Sequence, residues 1–535
     1  MELWTDDSYN KNFKNTLKPD ASSSIIVLDA AGNEYESAQI LMRSDKNFEI
    51  KALSFTDLIN SENSISSRFI KYNFQDYIYF NDETGYPDPL MNDRSVSVSG
   101  NETQGIWITV YVPKGAAAGT YSDKITIHTT EGDFEVNMEL HVYPVTIPDS
   151  EEGEFNLEYW SFFTGAWYHD YREADFVKNY YGYNRYSKEW WELIDKAAEN
   201  MREHRCNILL VRSQDLLLDA GTSIDADHKY SFNWSIFDEY IQRFIDKGVV
   251  KGLTGFQLLE QCSADRVHVL KRDRDGTMRM MNEPSGSMDA ENWLDQYLPA
   301  LHLHLQEKGW FPIWRQHIAD EPNSHPEAWI AAREKVRKYM PGIKCIEPLD
   351  TTALNGELTG HLDLWVPRIE LFDENQDFFQ ERKRAGDEVW VYTCCEPSAG
   401  YFLNKFIDRP YWHSRLLSWG CFKYRLGGFL HWGYNFWDEE DINFGLNSSA
   451  RFKGDGFIVY PDPVHKTIKN SVRLMATRDG IEEFELFRIL QRKNPDLANE
   501  IVNSIFTNFS YYTGNTKVMK ERRKELLKAV SGLTM

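Results

Sequence analysis

Phe311-Pro312-Ile313-Trp314-Arg315-Gln316-His317-Ile318-Ala319-Asp320-Glu321-Pro322 is an apolar, strand-like run that stops at two adjacent carboxylates, with a proline directly after them. In parallel α/β proteins the C-terminal end of a strand is where chemistry sits. Neighbouring side chains of a regular strand face opposite sides of the sheet. Asp320 and Glu321 can therefore face one ligand only if the strand ends or bulges at Asp320. Pro322, which cannot continue a central ladder, marks such an ending. A random Asp-Glu pair is ordinarily two solvated loop acids; the strand before this one and the proline after it argue for a site.

Working outward, strand-like runs alternate with longer helical stretches from Phe155 onward, the signature of βα units. The runs begin with Phe155–Trp160, Asn207–Arg212 and Gly255–Leu259. Pro312–Ile318 is the fourth, followed by Lys344–Ile346, Leu362–Val366, Val389–Tyr392 and Gly428–Trp432. Between them lie helix-like segments such as Ser187–His204 and His325–Tyr339. This count predicts a (β/α)8 TIM-type barrel over residues 155–490. After the eighth strand, Gly454–Pro461 precedes a helix expected from about Val464 to Gln491, and residues 491–535 read as a polar helical extension. Residues 1–150 differ. Short alternating segments, among them Ser23–Leu28, Gly105–Val112 and Asp123–His128, are separated by turn clusters, which predicts an all-β sandwich. Trp107 and Tyr111 read as its core, and the sandwich as a packing partner rather than a sugar-binding module. The acidic run Asp149–Glu154 reads as a linker.

Composition narrows the function classes. The formal net charge of -23 argues against a nucleic-acid backbone or an anionic membrane as partner. No apolar run is long enough for a membrane span, and the N-terminus lacks a basic segment followed by an apolar one. The expected location is cytoplasmic, or secreted if a signal peptide has been removed. The six cysteines have no metal spacing and read mostly as buried thiols. The 17 Trp, 28 Tyr and 31 Phe suit a sugar cleft, because a pyranose C–H face packs on an aromatic plane.

The strand ends give the candidate site. Asp320 and Glu321 follow the fourth strand, with His317 just before them in a position to orient the pair. Trp365, Arg368 and Glu370 lie at the sixth, Tyr392 and Glu396 at the seventh, and Trp432, Tyr434, Asn435 and Trp437 at the eighth. Such a mixture suits a polyhydroxylated ligand. No phosphate loop, dinucleotide fingerprint or nucleophile elbow is present, and no metal or other cofactor is expected. His302 and His304 lie two apart in a helical segment and share no face.

Two carboxylates in an aromatic cleft point to glycoside hydrolysis. A sugar carrying a 2-acetamido group can use its own carbonyl oxygen as nucleophile, needing one acid for the leaving oxygen and one carboxylate for the acetamide nitrogen. Adjacent Asp and Glu supply these, and a tyrosine such as Tyr392 is placed to hold the acetamido oxygen. A separate enzymic nucleophile, Glu370 or Glu396, is the alternative, as is a non-catalytic carbohydrate-binding barrel.

Three stretches carry a family likeness: Ile318–Pro322, Asp363–Pro367, and the C-terminal block that runs from Gly428–Trp432 through Gly454–Gly456, Tyr460–Pro461 and Ser471–Arg473 to Arg478–Glu482. They resemble glycoside hydrolase family 123, retaining β-N-acetylgalactosaminidases that use neighbouring-group participation. The resemblance implies that Asp320 stabilises the acetamide and Glu321 is the acid/base. It also implies an exo-acting enzyme on terminal N-acetylgalactosamine of oligosaccharides or glycolipid glycans. No pattern fixes the oligomeric state or excludes β-N-acetylglucosaminides. Arg478, Asp479 and Glu482 are expected to form a structural ion-pair network.

Overall fold

The computed structural model describes residues 1–80, 84–165, 175–437 and 453–532. The last three residues of the expected C-terminal extension, and residues 438–452 within the family-like C-terminal block, lie outside the described residues. The chain divides into two compact units: Met1–Phe155 with Gly400–Arg425 and Glu439–Met535, and Asn156–Ala399 with Leu426–Asp438. The division is therefore interleaved along the chain, rather than linear at 150, 155 and 490.

The first unit is an all-β sandwich with helices. One sheet runs in the order Glu2–Asp7, Glu34–Arg43, Thr103–Val112, Ile70–Tyr79, Gly85–Met91, Thr467–Ser471, Val459–Asp462. The second runs Ile25–Gly32, Gly132–Thr146, Gly119–Thr129, Phe48–Ser54, Val96–Val98. Alternation decides the core: Ile106, Ile108 and Val110 from the first sheet join Ile125, Ile127, Val136 and Leu140 from the second in one buried cluster. Trp107, of opposite parity, packs instead with Leu90, Tyr411, Val472 and Met475. Tyr111 is only partly buried, and its hydroxyl donates to Asn33 Oδ1 (2.8 Å).

The helix grouped from sequence with the barrel, expected up to about Gln491, belongs to this unit, as do the helices of the 491–535 extension. The helix expected from Val464 begins at Val472. The residues before it form a hairpin, Val459–Asp462 with Thr467–Ser471, whose second strand pairs with Pro89 and Leu90. Ser471 ends that strand and caps the helix, its Oγ accepting from Leu474 N (3.1 Å). Of the expected ion network, helix Val472–Lys493 carries the Arg478–Asp479 pair (3.1 Å), extended by Arg415 to Asp479 (3.3 Å) and Glu483 (2.7 Å), while Glu482 accepts from Tyr35 N (3.0 Å). The run Asp149–Glu154 is tied to the same helix, with Glu154 paired to Arg488 and Arg492.

The second unit is a parallel barrel. Its strands are Asn156–Tyr159, Ile208–Val211, Gly252–Gly255, Trp314–His317, Lys344–Leu349, Leu364–Pro367, a seventh in two halves (Glu388–Val389 and Val391–Thr393), and Gly428–His431. Each pairs in parallel with the next, and Asn156↔Gly428 closes the ring. The seventh strand is interrupted at Trp390, whose N–H still reaches Trp365 O (2.9 Å). The third strand lies earlier than its expected span of 255–259. At its end, a Cβ on Gly255 would fall 2.4 Å from the Trp314 ring, so only glycine lets the two strands approach. Helix Lys188–Glu203 shows how the outer layer forms: Ser187 caps it, and Trp190, Leu193, Ile194, Ala197 and Met201 make its buried face. No described helix is long and apolar enough to cross a membrane.

Candidate active site

The fourth strand ends at His317, and the chain turns sharply four residues later. Glu321 has φ +50°, a left-handed conformation uncommon outside glycine. This is the break in alternation that the sequence required before both acids could share one side. Backbone bonds fix the turn: Leu258 and Leu259 N–H groups reach Ile318 O (3.0 and 2.8 Å), and Cys262 N reaches Asp320 O (2.8 Å). Loops after the third and fourth strands are thus laced together beneath the acid pair.

Glu347, on the fifth strand, anchors the approach to the pair. It is fully buried, and its Oε1 accepts from the backbone N–H of Ile318 (2.8 Å) and Ala319 (3.0 Å) and from Trp329 Nε1 (3.1 Å). His317 Nε2 lies 3.3 Å from Glu347 Oε2, and its ring sits against Trp160. His317 therefore lies under the acid pair, inside the barrel, where it steadies Glu347. Burial raises the Glu347 carboxyl, opposed first by His317.

Asp320 is buried, and among the described residues nothing donates to its carboxyl. Burial holds it well above the usual carboxylate range, reinforced by the charges of Glu321, Glu347 and Asp350. Glu321 is also raised by burial, with Asp350 adding to it while the Tyr392 hydroxyl, Arg368 and Gln261 pull it down. Two neighbouring acids that both resist ionisation hold a proton between them further up the pH range than free carboxyls do. Tyr392 donates its hydroxyl to Glu321 Oε1. Burial and that carboxylate hold the phenol well above its ordinary value, so it remains a donor.

Register gathers these groups. Leu349 pairs with Pro367, and Arg368 N–H reaches Leu349 O, so Asp350 and Arg368 follow at one level. Arg368 is bridged in turn to Tyr392. Arg368 pairs with Glu370, and Ser398 holds Glu396 through its N–H (2.6 Å) and Oγ (2.8 Å). Asp350 was not among the strand-end acids read from sequence.

Other strand-end residues lie elsewhere. Trp365 has opposite parity to Arg368 and faces the helix layer, its ring on Phe378 and its indole N–H on Asp387 (3.0 Å). Tyr434 is fully buried and donates to Asn200 of helix Lys188–Glu203 (2.9 Å). Asn435 Oδ1 accepts from Phe162 N (2.8 Å), and Trp437 packs on Phe163, Tyr180 and Tyr181. These three brace the loops after the first and eighth strands. Trp432 alone of the four is partly exposed, packed by Phe162 and Phe436. Cys206, Cys345 and Cys421 are buried, whereas Cys262, Cys394 and Cys395 are half-buried. His302 is bonded to Tyr339 O and His304 to Asp238.

Comparison with known proteins adds the family. Residues 167–490 match the model for the glycoside hydrolase 123 catalytic domain, and residues 4–129 that for the glycoside hydrolase 123 N-terminal domain. Among functionally curated sequences none matches this chain. Among solved structures it is similar to a family 123 glycoside hydrolase from Clostridium perfringens, whose structural analysis concerned glycolipid glycan hydrolysis. The TM-score is 0.78 at 18% identity, covering 99% of this chain and 98% of that one. A β-glucuronidase from Parabacteroides merdae matches at a TM-score of 0.28 and 10% identity, over 75% of this chain and 45% of that one. With more than half its length matched by the catalytic-domain model, this chain belongs to glycoside hydrolase family 123 and is a glycosidase.

Proposed function

We propose that the protein is a retaining exo-β-N-acetylgalactosaminidase acting by substrate-assisted catalysis. The observation that carries this reading is the pairing of two unlike neighbours. Glu321 is held by Tyr392, while the buried Asp320 carboxyl has no donor among the described residues. An acetamide N–H supplies the donor that Asp320 lacks. In the first step the acetamide oxygen attacks the anomeric carbon as the glycosidic C–O bond breaks. Glu321 gives its proton to the departing oxygen, and Asp320 accepts the acetamide N–H as positive charge develops on the resulting oxazolinium. In the second step water attacks the same carbon and yields its proton to Glu321, the acetamide is released, and two inversions give net retention. The enzymic-nucleophile alternative is less well supported, because Glu370 and Glu396 are engaged by Arg368 and Ser398. The substrate proposed is terminal N-acetylgalactosamine of a glycan, in line with the glycolipid glycan hydrolysis of the Clostridium perfringens relative.

The test is hydrolysis of paired p-nitrophenyl β-N-acetylgalactosaminide and β-N-acetylglucosaminide by wild type and Glu321→Gln. Preference for the galacto sugar, with a loss of roughly two to four orders of magnitude in the variant, is expected. Full activity in Glu321→Gln would remove Glu321 as acid/base, and equal or greater turnover of the gluco sugar would change the substrate.

A further inference from the structure

Asp350 is the site's third carboxylate, and the roles set out above leave it unused. It is the first residue past the fifth strand, directly after Leu349. Strand pairing runs His317↔Ile346 and Leu349↔Pro367, and the rim continues through the Arg368↔Tyr392 bridge. Asp350 thus occupies the rim position between the acid pair on the fourth strand and Arg368 on the sixth. Its Oδ1 is buried and has no hydrogen-bond partner among the described residues. A buried acceptor left open beside an equally unpartnered Asp320 is an arrangement that a ligand completes, because each such atom is costly while unpaired.

We propose that Asp350 reads a hydroxyl of the sugar bound over Asp320 and Glu321, with Arg368 beside it, and so helps set which sugar the site accepts. This rests on the functional reading above. A charged acceptor suits a hydroxyl, which donates its proton, and Arg368 can donate to the same hydroxyl's lone pairs. The position has a second consequence. Asp350 adds its charge to the burial that raises Glu321, whose other charged neighbours include Asp320 and Arg368, with Tyr392 and Cys262 also facing the pair. Glu321 must be protonated to act as acid, so the rate falls as pH rises through its titration. Removing the Asp350 charge lowers that titration and draws the alkaline limb toward lower pH.

The experiment measures kcat, KM and the pH profile of kcat/KM for wild type, Asp350→Asn and Asp350→Ala, alongside melting curves. Loss of a charge-assisted hydroxyl contact is expected to lower kcat/KM by about tenfold to a hundredfold. Part of that loss should appear in KM, and the alkaline limb should move acidward by up to about one pH unit in both variants. A residue that only supported the fold would alter melting without moving the limb. Unchanged kcat/KM and an unmoved limb in Asp350→Asn would overturn the proposal, whatever the fate of the alanine variant. If wild type cleaves neither N-acetylhexosaminide but another β-glycoside, the functional reading falls, and Asp350 is judged by the same two readouts on that glycoside.

Discussion

Glu347→Leu is the substitution whose effect follows most directly from the geometry. The leucine has similar bulk but accepts no hydrogen bond. Three donors now served by the carboxylate, the Ile318 and Ala319 N–H groups and Trp329 Nε1, would be stranded in a buried place, and His317 would lose its 3.3 Å neighbour. A stranded buried donor costs about 1–3 kcal/mol, so three of them with partial relaxation should cost about 4 kcal/mol. For a unit of this size that lowers the melting temperature by roughly 8–15 °C. Glu347→Gln is the finer probe. Its carbonyl can still accept from Ile318 and Ala319, but its NH2 meets donors on the other side. Its stability should fall by only about 1–2 kcal/mol. Activity should nevertheless fall by tenfold or more, because small displacements of positioned groups cost that much. The assay is thermal unfolding with steady-state hydrolysis of p-nitrophenyl β-N-acetylgalactosaminide. A leucine variant that melts with wild type and keeps its kcat would refute the claim that Glu347 holds the approach to the acid pair.

Two further outcomes are expected. Asp320 is raised in the folded state, so its contribution to stability is fully present below the unfolded carboxyl range, near pH 4, and is lost as pH rises through the folded titration. Asp320→Asn should therefore melt above wild type at neutral pH, by about 1–2 kcal/mol, with the gap closing toward pH 4; a gap that widens on acidification would contradict this. Trp365→Ala should cost about 3–5 kcal/mol of stability and leave KM little changed, while Trp432→Ala should do the reverse, raising KM with a smaller stability loss. Unfolding and kinetics on the two variants test the parity argument that separates them.

The barrel was legible because its strands are short apolar runs spaced by helical ones, and all eight lie at or within a few residues of their expected places. The turn that carries Asp320 and Glu321 was legible through its strand-plus-proline setting. Side-chain direction was not. Trp365 lies three residues before the rim position Arg368, and because odd and even positions face opposite layers only Arg368 shares the parity of the mouth. Tyr434, Asn435 and Trp437 lie past the strand, where alternation gives no guide, and they proved to brace loops. Asp350 was missed because the fifth apolar run was read as only Lys344–Ile346. The fifth strand was expected to stop at Ile346 but continues three residues further to Leu349, and no residue was read from its end. Glu347 was invisible because its donors, the Ile318 and Ala319 amides past the fourth strand and the Trp329 indole on a helix, are not marked by any sequence pattern. Helix Val472–Lys493 was placed in the barrel because it follows the eighth strand in sequence, whereas its Glu483 pairs with Arg415 and Arg523, which also bind Glu36 of the sandwich.

The central claim, that the acid pair serves a nucleophile supplied by the substrate, is tested most directly by progressive fluorination of the acetamido methyl group. kcat/KM would be measured on p-nitrophenyl β-glycosides carrying the N-acetyl, fluoroacetyl, difluoroacetyl and trifluoroacetyl groups. Fluorine withdraws electrons from the carbonyl oxygen, so a steep fall along the series is expected if that oxygen attacks the anomeric carbon. A flat series, with a covalent glycosyl-enzyme trapped on Glu370 or Glu396, would contradict it.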